Sequence, residues 1–288
     1  MEIIAEVGST WRLPDMAASH DLALASIGQA ARAGASAIKY QVFRADSLYS
    51  KERAPELYER TKRYELPLEW LPELKTEAQK HGIGLWTSIF AVDLIEPALP
   101  YLDGLKVASG DLTNRPLLEA MAKAAAEAEL PLAISTGAAT PTEINDLYIY
   151  LRQFSAPRRL ILMHCVSEYP ALEWHMNLRA ISYLRDRADE VGLSDHTGAH
   201  SNLVAQLALA LGATVFEKHF APDGADMDNP DMVVAIDRIA FRRYVDDLER
   251  AEAILGKPVK TVQKSERSER VWARRGKDGL RPKEDGDA

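Results

Sequence analysis

The sequence predicts an α/β protein, a (β/α)8 TIM barrel with a short polar C-terminal tail. Short apolar runs alternate with longer stretches of helical spacing from the N-terminus to about residue 256. Eight strands and eight helices can be counted in strict alternation, and every strand ends in polar or ionisable residues. Alternating βα units indicate a parallel sheet, and eight of them favour a closed barrel over an open doubly wound sheet.

The predicted strands are short runs rich in apolar and β-branched residues. They lie at residues 2–7, 37–42, 84–89, 105–108, 131–135, 159–165, 191–193 and 214–220. After the first strand the chain continues Gly8-Ser9-Thr10-Trp11, which lacks the glycine fingerprint of a dinucleotide-binding fold. This absence also favours the barrel.

The predicted helices have apolar residues at helical spacing. They lie at residues 17–33, 68–80, 93–99, 116–129, 141–153, 177–189, 203–211 and 236–255. Thr140 and Pro141 open the fifth of them, and the 203–211 stretch is so apolar that we expect a buried helix. The charged stretch 44–67 is predicted as a long loop, which at the top of a barrel often forms a lid or a substrate wall.

The composition indicates an ordinary soluble protein with an acidic balance. A net charge of -8 and a pI near 5.5 disfavour nucleic acid and acidic membranes as partners, although a locally basic pocket can still bind an anion. The chain opens directly into a strand without a leader, and no apolar run has the length of a membrane span. A single cysteine, Cys165, excludes an internal disulfide framework and suits a reducing cytoplasm, the predicted location.

The predicted catalytic domain covers residues 1–256, and residues 257–288 form the polar tail. The tail is rich in Lys, Arg, Glu, Ser and Gly and has few apolar residues. Such a composition is too poor in apolar residues for a second domain, so we expect an arm or a disordered segment.

In a barrel all strands deliver their last residues to one face, and here all eight ends are polar. These residues are Glu6, Lys39, Gln41, Thr87, Ser88, Lys106, Ser109, Ser135, Thr136, His164, Ser167, Ser194, His196, Glu217 and His219. Lys39 and Lys106 end apolar strands, where an unpaired ammonium would be costly to enclose. Two lysines among short hydroxyls predict a site for a small polyanion such as a phosphorylated carboxylic acid. A structural ion pair with Glu6 or Glu217 is the alternative.

His196 and His219 end two strands that a right-handed crossover makes parallel neighbours. Two adjacent imidazoles, flanked by Asp195 and Glu217, could hold a divalent metal such as Mn, Fe, Co or Zn. The alternative is that both rings only bond loop carbonyls. A metal beside an anion site would polarise a carbonyl next to a phosphate-bearing partner.

Seven motifs resemble, in order, those of the sialic acid synthase family, whose members condense phosphoenolpyruvate (PEP) with an amino-sugar aldehyde such as N-acetylmannosamine. They are IAEVG at 4–8, AIKYQ at 37–41, KVASGDLTN at 106–114, LAISTG at 132–137, HCVSEYP at 164–170, GLSDHT at 192–197 and EKHF at 217–220. The resemblance extends from residue 3 to about residue 270.

The resemblance implies a role for each matching residue. His196 and His219 would ligate a divalent metal, with Mn²⁺ expected and Mg²⁺ or Co²⁺ as alternatives. The residues implied to surround PEP are Lys39, Ser88, Lys106, Ser109, Ser135, Ser167 and Ser194. Those implied to face the acceptor and the attacking water are Glu6, Gln41, Tyr169, Glu217 and Asp231. Of all these, Glu6, Lys39, Gln41, Glu217 and Asp231 are the predicted catalytic residues.

The implied reaction begins with the metal on the aldehyde oxygen of the acceptor. PEP C3 attacks the aldehyde carbon, and water directed by a carboxylate such as Glu6 adds to C2. Phosphate then leaves by C–O cleavage, which yields a 2-keto-3-deoxy acid.

The sequence departs from the family pattern at two places. Ser9-Thr10-Trp11-Arg12 stands where the family usually has an Asn-His-Asn-Gly-like loop, so the acceptor pocket near Glu6 is expected to differ. The family also usually carries a C-terminal antifreeze-like capping domain, whereas this sequence stops soon after 273–276. We therefore consider a homodimer, a separate capping protein, and tail arginines in place of the cap. These arginines are Arg267, Arg270, Arg274 and Arg275.

Three other functions stay open. One is a PEP-condensing aldolase that acts on a phosphorylated or non-sugar aldehyde, which would need the basic side chains of Arg44, Arg53, Arg60 and Arg63. The second is a non-catalytic PEP-binding barrel that serves as a partner protein. The third is a metal-dependent hydrolase, to which the ring of lysines and serines would be superfluous.

Overall fold

The structure is a computed structural model that describes residues 1–154, 157–198 and 202–282. Within these residues eight parallel strands pair in chain order, and β8 pairs with β1 to close the barrel. The strands are β1 Glu2–Gly8, β2 Ala37–Val42, β3 Gly84–Ile89, β4 Gly104–Val107, β5 Pro131–Ser135, β6 Arg159–His164, β7 Glu190–Asp195 and β8 Val215–His219. The predicted (β/α)8 barrel is confirmed.

Helices follow the strands around the outside of the barrel. The α-helices that begin before residue 251 are α1 Met16–Arg32, α2 Ala45–Leu48, α3 Pro55–Lys62, α4 Leu71–His81, α5 Ile95–Ala98, α6 Arg115–Glu127, α7 Pro141–Leu151, α8 Ala180–Leu184, α9 Leu203–Ala210 and α10 Arg238–Leu255. Short 3₁₀ turns lie at Leu68–Trp70, Val92–Leu94, Leu99–Tyr101, Ser109–Asp111, Glu173–His175, Arg185–Arg187 and Pro230–Val233. Asp15 caps α1, and Thr140 forms a capping box with Glu143 at α7.

The structure differs from one loop prediction and from two helix predictions. The stretch 44–67 contains α2 and α3, because Tyr58 is buried and its hydroxyl donates to Asp46 at 2.6 Å. The 177–189 helix is shorter than predicted and is α8 followed by a 3₁₀ turn. Helix α9 is not buried all round, since Leu203 and Leu207 are about half exposed.

Apolar side chains pack on both faces of the barrel sheet. The inner face carries Ile4, Ala37, Trp86, Ala133, Ile161, Met163 and Val215, all at most 2 % exposed. A larger cluster packs the outward faces of the strands against the helices. The inner layer closes the barrel from within, so the polar strand ends line a cavity above it rather than an open pore.

The chain divides into two compact units, Met1–Ala251 and Glu252–Ala288. The second contains a 3₁₀ turn at Lys264–Glu266 and helix α11 Arg267–Ala273, so the predicted tail includes a short helix. Trp272 in this helix is 66 % exposed. The last six residues of the tail lie outside the described residues, and the predicted boundary at residue 256 stays a prediction. None of the helices in the described parts of the chain is long and apolar enough to span a membrane.

Candidate functional site

The carboxyl ends of the strands enclose a cavity of about 340 Å³, a size that suits small ligands. All fourteen residues to which the family resemblance assigns a role line this cavity, although their roles stay predictions. They are Glu6, Lys39, Gln41, Ser88, Lys106, Ser109, Ser135, Ser167, Tyr169, Ser194, His196, Glu217, His219 and Asp231. Phe90, Ala108 and Gly110 also line it and were missed. Phe90 directly follows β3, so its place at a strand end was a usable signal.

Two lysines and two glutamates form an ionic cluster in this cavity. Nζ of Lys39 lies 2.5 Å from Oε2 of Glu6 and 3.7 Å from Oε2 of Glu217, and it donates to Ser88 Oγ at 2.9 Å. Lys106 donates to Oε1 of Glu217 in a short hydrogen bond. Each of the four charged residues is at most 4 % exposed. The ion pairs that the sequence left open as an alternative are therefore present, and they lie in the cavity itself.

The members of the cluster set one another's ionisation. Burial would lower the pKa of Lys39, but the carboxylates of Glu217 and Glu6 outweigh burial and raise it. Burial would raise the pKa of Glu217, but Lys106 and Lys39 hold it well below its ordinary value. For Lys106 burial outweighs the attraction of Glu217, so its pKa is lowered. The charge of Lys106 is therefore less well supported by its surroundings than that of Lys39.

Serine hydroxyls accompany the lysines and converge on the loop after β5. The N–H of Gly137 donates to Ser109 Oγ at 3.1 Å, and that hydroxyl lies 3.2 Å from Cys165 Sγ. A Cβ on Gly137 would lie 2.4 Å from Ser167 Oγ, so a glycine is needed for this close approach. Ser135 Oγ is buried and has no hydrogen-bond partner among the described residues. These hydroxyls can donate to the oxygens of a phosphate or a carboxylate.

The ends of β7 and β8 place His196 and His219 side by side, with ring centroids 5.6 Å apart. Nδ1 of His196 donates to the carbonyl of Val166 at 2.8 Å, which leaves Nε2 as the acceptor nitrogen. Nε2 lies 3.3 Å from both the Tyr169 hydroxyl and Ser194 Oγ. Burial and the neighbouring His219 lower the pKa of His196 to about 3, so its imidazole is neutral at physiological pH.

This pair fits a divalent cation held by two imidazoles that takes its other ligands from water or substrate. Nδ1 of His219 is buried without a hydrogen-bond partner in the described part of the chain, which leaves it available to a ligand. No group of three His, Cys, Asp or Glu side chains in that part is arranged to hold a metal. Glu217 does not supply a third ligand, since both of its oxygens face lysines.

Asp195 does not flank the histidines in the cavity, as the sequence predicted, because strand alternation turns it outward. It is the register partner of Lys218 on β8, whose Nζ lies 3.2 Å from its Oδ1. Lys218 also donates to the carbonyl of Thr197 at 2.5 Å. Asp195 and Lys218 are at most 1 % exposed. This buried ion pair joins β7 to β8 behind the histidines.

Three further strand-end residues lie outside the cavity lining. Thr136 donates to the carbonyl of Met163, and Nε2 of His164 bonds the carbonyl of Met176 at 2.6 Å. Thr87 is fully buried. Thr136 and His164 therefore hold loops in place.

Comparison with known proteins gives a family match. A model of the NeuB family matches residues 26–260. A pseudaminic acid synthase of Campylobacter jejuni is 33 % identical over 290 residues, which cover 94 % of this chain and 80 % of the relative. An N,N'-diacetyllegionaminic acid synthase of Legionella pneumophila is 33 % identical and covers 95 % and 78 % of the two chains.

A solved structure shares both fold and sequence. The N-acetylneuraminic acid (sialic acid) synthetase of Leptospira borgpetersenii, in complex with citrate, has a TM-score of 0.79 and 31 % identity. The match covers 93 % of this chain and 89 % of that chain. These comparisons confirm the predicted relationship to sialic acid synthases and the predicted enzyme class. The chain therefore belongs to the NeuB family of synthases.

Proposed function

We propose that this enzyme condenses PEP with an unphosphorylated amino-sugar aldehyde such as N-acetylmannosamine, with help from a divalent metal. The products would be a 2-keto-3-deoxy sugar acid and phosphate. The observation that carries the proposal is the meeting of two lysines, five serines and a histidine pair in one cavity. The names of the relatives, synthases of pseudaminic, legionaminic and sialic acids, point to the same class of product.

The PEP half of the cavity is built from ammonium groups and hydroxyls. Among the described residues Lys106 Nζ has one hydrogen-bond partner, Glu217, so two of its three donors are left for the oxygens of PEP. Ser135 Oγ and the hydroxyls around Gly137 add further donors. Donors fixed before PEP arrives would stabilise its phosphate and carboxylate at little reorganisation cost.

The acceptor half carries carboxylates. Glu6 is held by Lys39 and by Gln41, whose amide donates to Oε1 at 2.7 Å. PEP C3 forms a bond to the aldehyde carbon, the C=O π bond breaks, and the aldehyde oxygen becomes a hydroxyl by taking up a proton that the attacking water gives up. Water directed by Glu6 adds to PEP C2, and the C2–O bond to phosphate breaks, which leaves a ketone at C2. PEP, aldehyde and water are thereby converted to keto acid and phosphate.

His196 and His219 would hold the metal through their ring nitrogens. When bound there, a divalent ion polarises the aldehyde carbonyl and fixes its direction relative to PEP. The chain's own part is to keep the acceptor nitrogen of His196 facing the cavity, which the Val166 carbonyl does through Nδ1. Mn²⁺ is the proposed ion, with Mg²⁺ and Co²⁺ as alternatives.

An aldehyde that bears its own phosphate is the second candidate, and the placement of the loop arginines disfavours it. None of Arg44, Arg53, Arg60 and Arg63 belongs to the lining of the cavity. Arg44 instead pairs with Asp93 at 2.7 Å. The lysines of the cavity are already paired with glutamates, which leaves little positive charge for a second phosphate.

The cytoplasm is the proposed compartment, because the single cysteine, Cys165, is a buried free thiol, which suits a reducing compartment. A homodimer and a separate capping protein stay predictions.

Phosphate release from PEP tests the proposal. The assay contains Mn²⁺ and a panel of aldehyde sugars that includes N-acetylmannosamine and its 6-phosphate. His196→Ala is the test variant, and His164→Gln, at a strand-end histidine outside the lining, is the matched control. Release that needs both an unphosphorylated acceptor and His196 is the expected result. Release only with the phosphorylated sugar would establish the second candidate, and no release despite PEP binding would indicate a non-catalytic barrel.

A further inference from the structure

We infer that Ser9 and Asn229 are positioning residues that fix the carboxylate of Asp231 as the hydrogen-bond acceptor for the aldehyde substrate. The inference rests on the proposed function, because it concerns the acceptor half of the same cavity. It starts from a contact between two loops, one after β1 and one after β8, that are about 220 residues apart in the chain.

Asp231 is held through one oxygen. Its Oδ2 accepts from the backbone N–H of Ser9 at 2.7 Å and lies 2.7 Å from the hydroxyl of the same serine. Asn229 brackets Ser9 from the other side, since its amide donates to the Ser9 carbonyl at 2.7 Å. The carbonyl oxygen of that amide lies 2.8 Å from Ser9 Oγ and accepts from the N–H of Asp231 at 3.0 Å. The three residues therefore form one closed set of hydrogen bonds.

The surroundings leave this carboxylate little freedom. Gly8 has a φ of +55°, and a Cβ there would lie 2.4 Å from Oδ2 of Asp231. Asn229 is only 4 % exposed, although its side chain is polar. The side-chain amide of Asn229 therefore uses both its N–H donor and its carbonyl acceptor to connect Ser9 with Asp231. We call this arrangement the Asn229 bracket. The bracket keeps Oδ2 turned towards the protein.

The other oxygen of Asp231 is free for a ligand. None of the described residues donates a hydrogen bond to Oδ1, and Asp231 is part of the cavity lining. A fixed carboxylate oxygen accepts a hydrogen bond from a hydroxyl or an amide N–H, and it repels a phosphate or another carboxylate. Asp231 would thus select a neutral acceptor that presents such a donor. Because Oδ1 is held in place before the aldehyde substrate binds, no conformational entropy of the Asp231 side chain is lost on binding.

Kinetics of four variants test the inference. Ser9→Ala removes one of the two donors to Oδ2, Asn229→Ala removes the bracket, and Ser9→Thr restores the hydroxyl. Ser36→Ala is the matched control, because Ser36 Oγ accepts from Ile3 N at 2.7 Å and so also fixes backbone, but outside the cavity. We expect Ser9→Ala and Asn229→Ala to raise the KM for N-acetylmannosamine roughly tenfold, the size of one lost hydrogen bond to a charged group. The KM for PEP should stay within about twofold, and Ser9→Thr should recover most of the loss.

A second arm needs no turnover. N-acetylmannosaminitol, which lacks the aldehyde, is titrated by calorimetry into enzyme loaded with Mn²⁺ and PEP, and Ser9→Ala should bind it about tenfold more weakly. Equal binding by Ser9→Ala and the unmodified protein would overturn the inference while the proposed function stood. A parallel rise in the KM for PEP, or the same loss in Ser36→Ala, would show a general structural effect and would also overturn it. Absence of both turnover and alditol binding in the unmodified protein would overturn the proposed acceptor and the inference together.

Discussion

Replacing Glu217 by glutamine should destabilise the protein strongly, because it removes the carboxylate shared by two buried lysines. The cluster holds two ammonium groups and two carboxylates, so its charges cancel in the native protein. Glu217→Gln removes one negative charge and leaves one ammonium charge uncompensated. Breaking a buried ion pair by removing one partner costs about 3–5 kcal/mol. Glutamine keeps the shape and can still accept from Ser194, which bonds Oε1 at 2.9 Å, so we expect a cost near the lower end.

The assay is thermal unfolding of metal-free protein at pH 7.5. The lysines lower the pKa of Glu217, so its stabilisation is complete above its ordinary value of 4.5 and is lost only as the pH falls towards the native-state value. About 3 kcal/mol corresponds to a melting temperature lower by roughly 6–12 °C in a chain of this size. PEP supplies the missing negative charge, so it should raise the melting temperature of the variant more than that of the unmodified protein.

The matched control is Glu119→Gln, which breaks an exposed pair with Lys123 and should leave the melting temperature unchanged. A Glu217→Gln variant that melts within about 2 °C of the unmodified protein would refute the reasoning, since the two ammonium groups would then not depend on this carboxylate. Equal stabilisation of both proteins by PEP would refute the charge argument for the PEP site.

Three further predictions concern the cavity and its surroundings. The lining carries three carboxylates and two ammonium groups, so PEP should bind at least about tenfold more tightly with Mn²⁺ than after chelation; equal affinities by calorimetry would contradict this. Gly137→Ala should raise the KM for PEP about tenfold, because the new methyl would displace the hydroxyls around it, whereas Gly84→Ala, whose Cβ would meet its neighbours at 3.5 Å outside the cavity, should not. Burial lowers the pKa of His164 in the native protein. As the pH falls below 6.5, the unfolded chain therefore binds a proton at this residue while the native protein does not, and the free energy of unfolding decreases. Above pH 6.5 this loss of stability is absent. In urea titrations at pH 7 and pH 5, His164→Gln should therefore lose less stability than the unmodified protein, and equal losses would show that His164 is protonated in the native state.

The positions of the site residues could be predicted because a barrel converts strand ends into neighbours. Lys39, Lys106, His196 and His219 are scattered over 180 residues. Lys106, His196 and His219 lie at or next to the end of a strand, whereas Lys39, which the sequence placed at a strand end, lies in the middle of β2 and still lines the cavity. The closed sheet brings these side chains to one face. The partner of each lysine could not be predicted, since both an anion and a glutamate satisfy the same sequence pattern. Only the distances across the barrel show that Glu217 lies near both ammonium groups.

The structure differs from the sequence-based expectation at Asp195 and adds the contact of Ser9 with Asn229, and the two have different physical causes. The outward direction of Asp195 follows from the alternation of side chains along β7, with Ser194 and His196 facing the cavity, so that signal was present in the sequence. The contact of Ser9 with Asn229 had no local signal, because neither residue belongs to a regular pattern and only the closed barrel brings them together.

The order of charges on β8 ties barrel closure to the assembly of the cavity. Glu217 faces the two lysines inside, and Lys218, the next residue, faces Asp195 outside. A slip of β8 by one residue would exchange these two side chains. Three ammonium groups would then crowd the interior, and two carboxylates would meet behind the strand. Misalignment is therefore penalised on both faces of the sheet at once, so the last strand closes the barrel in the single alignment that also completes the ionic cluster.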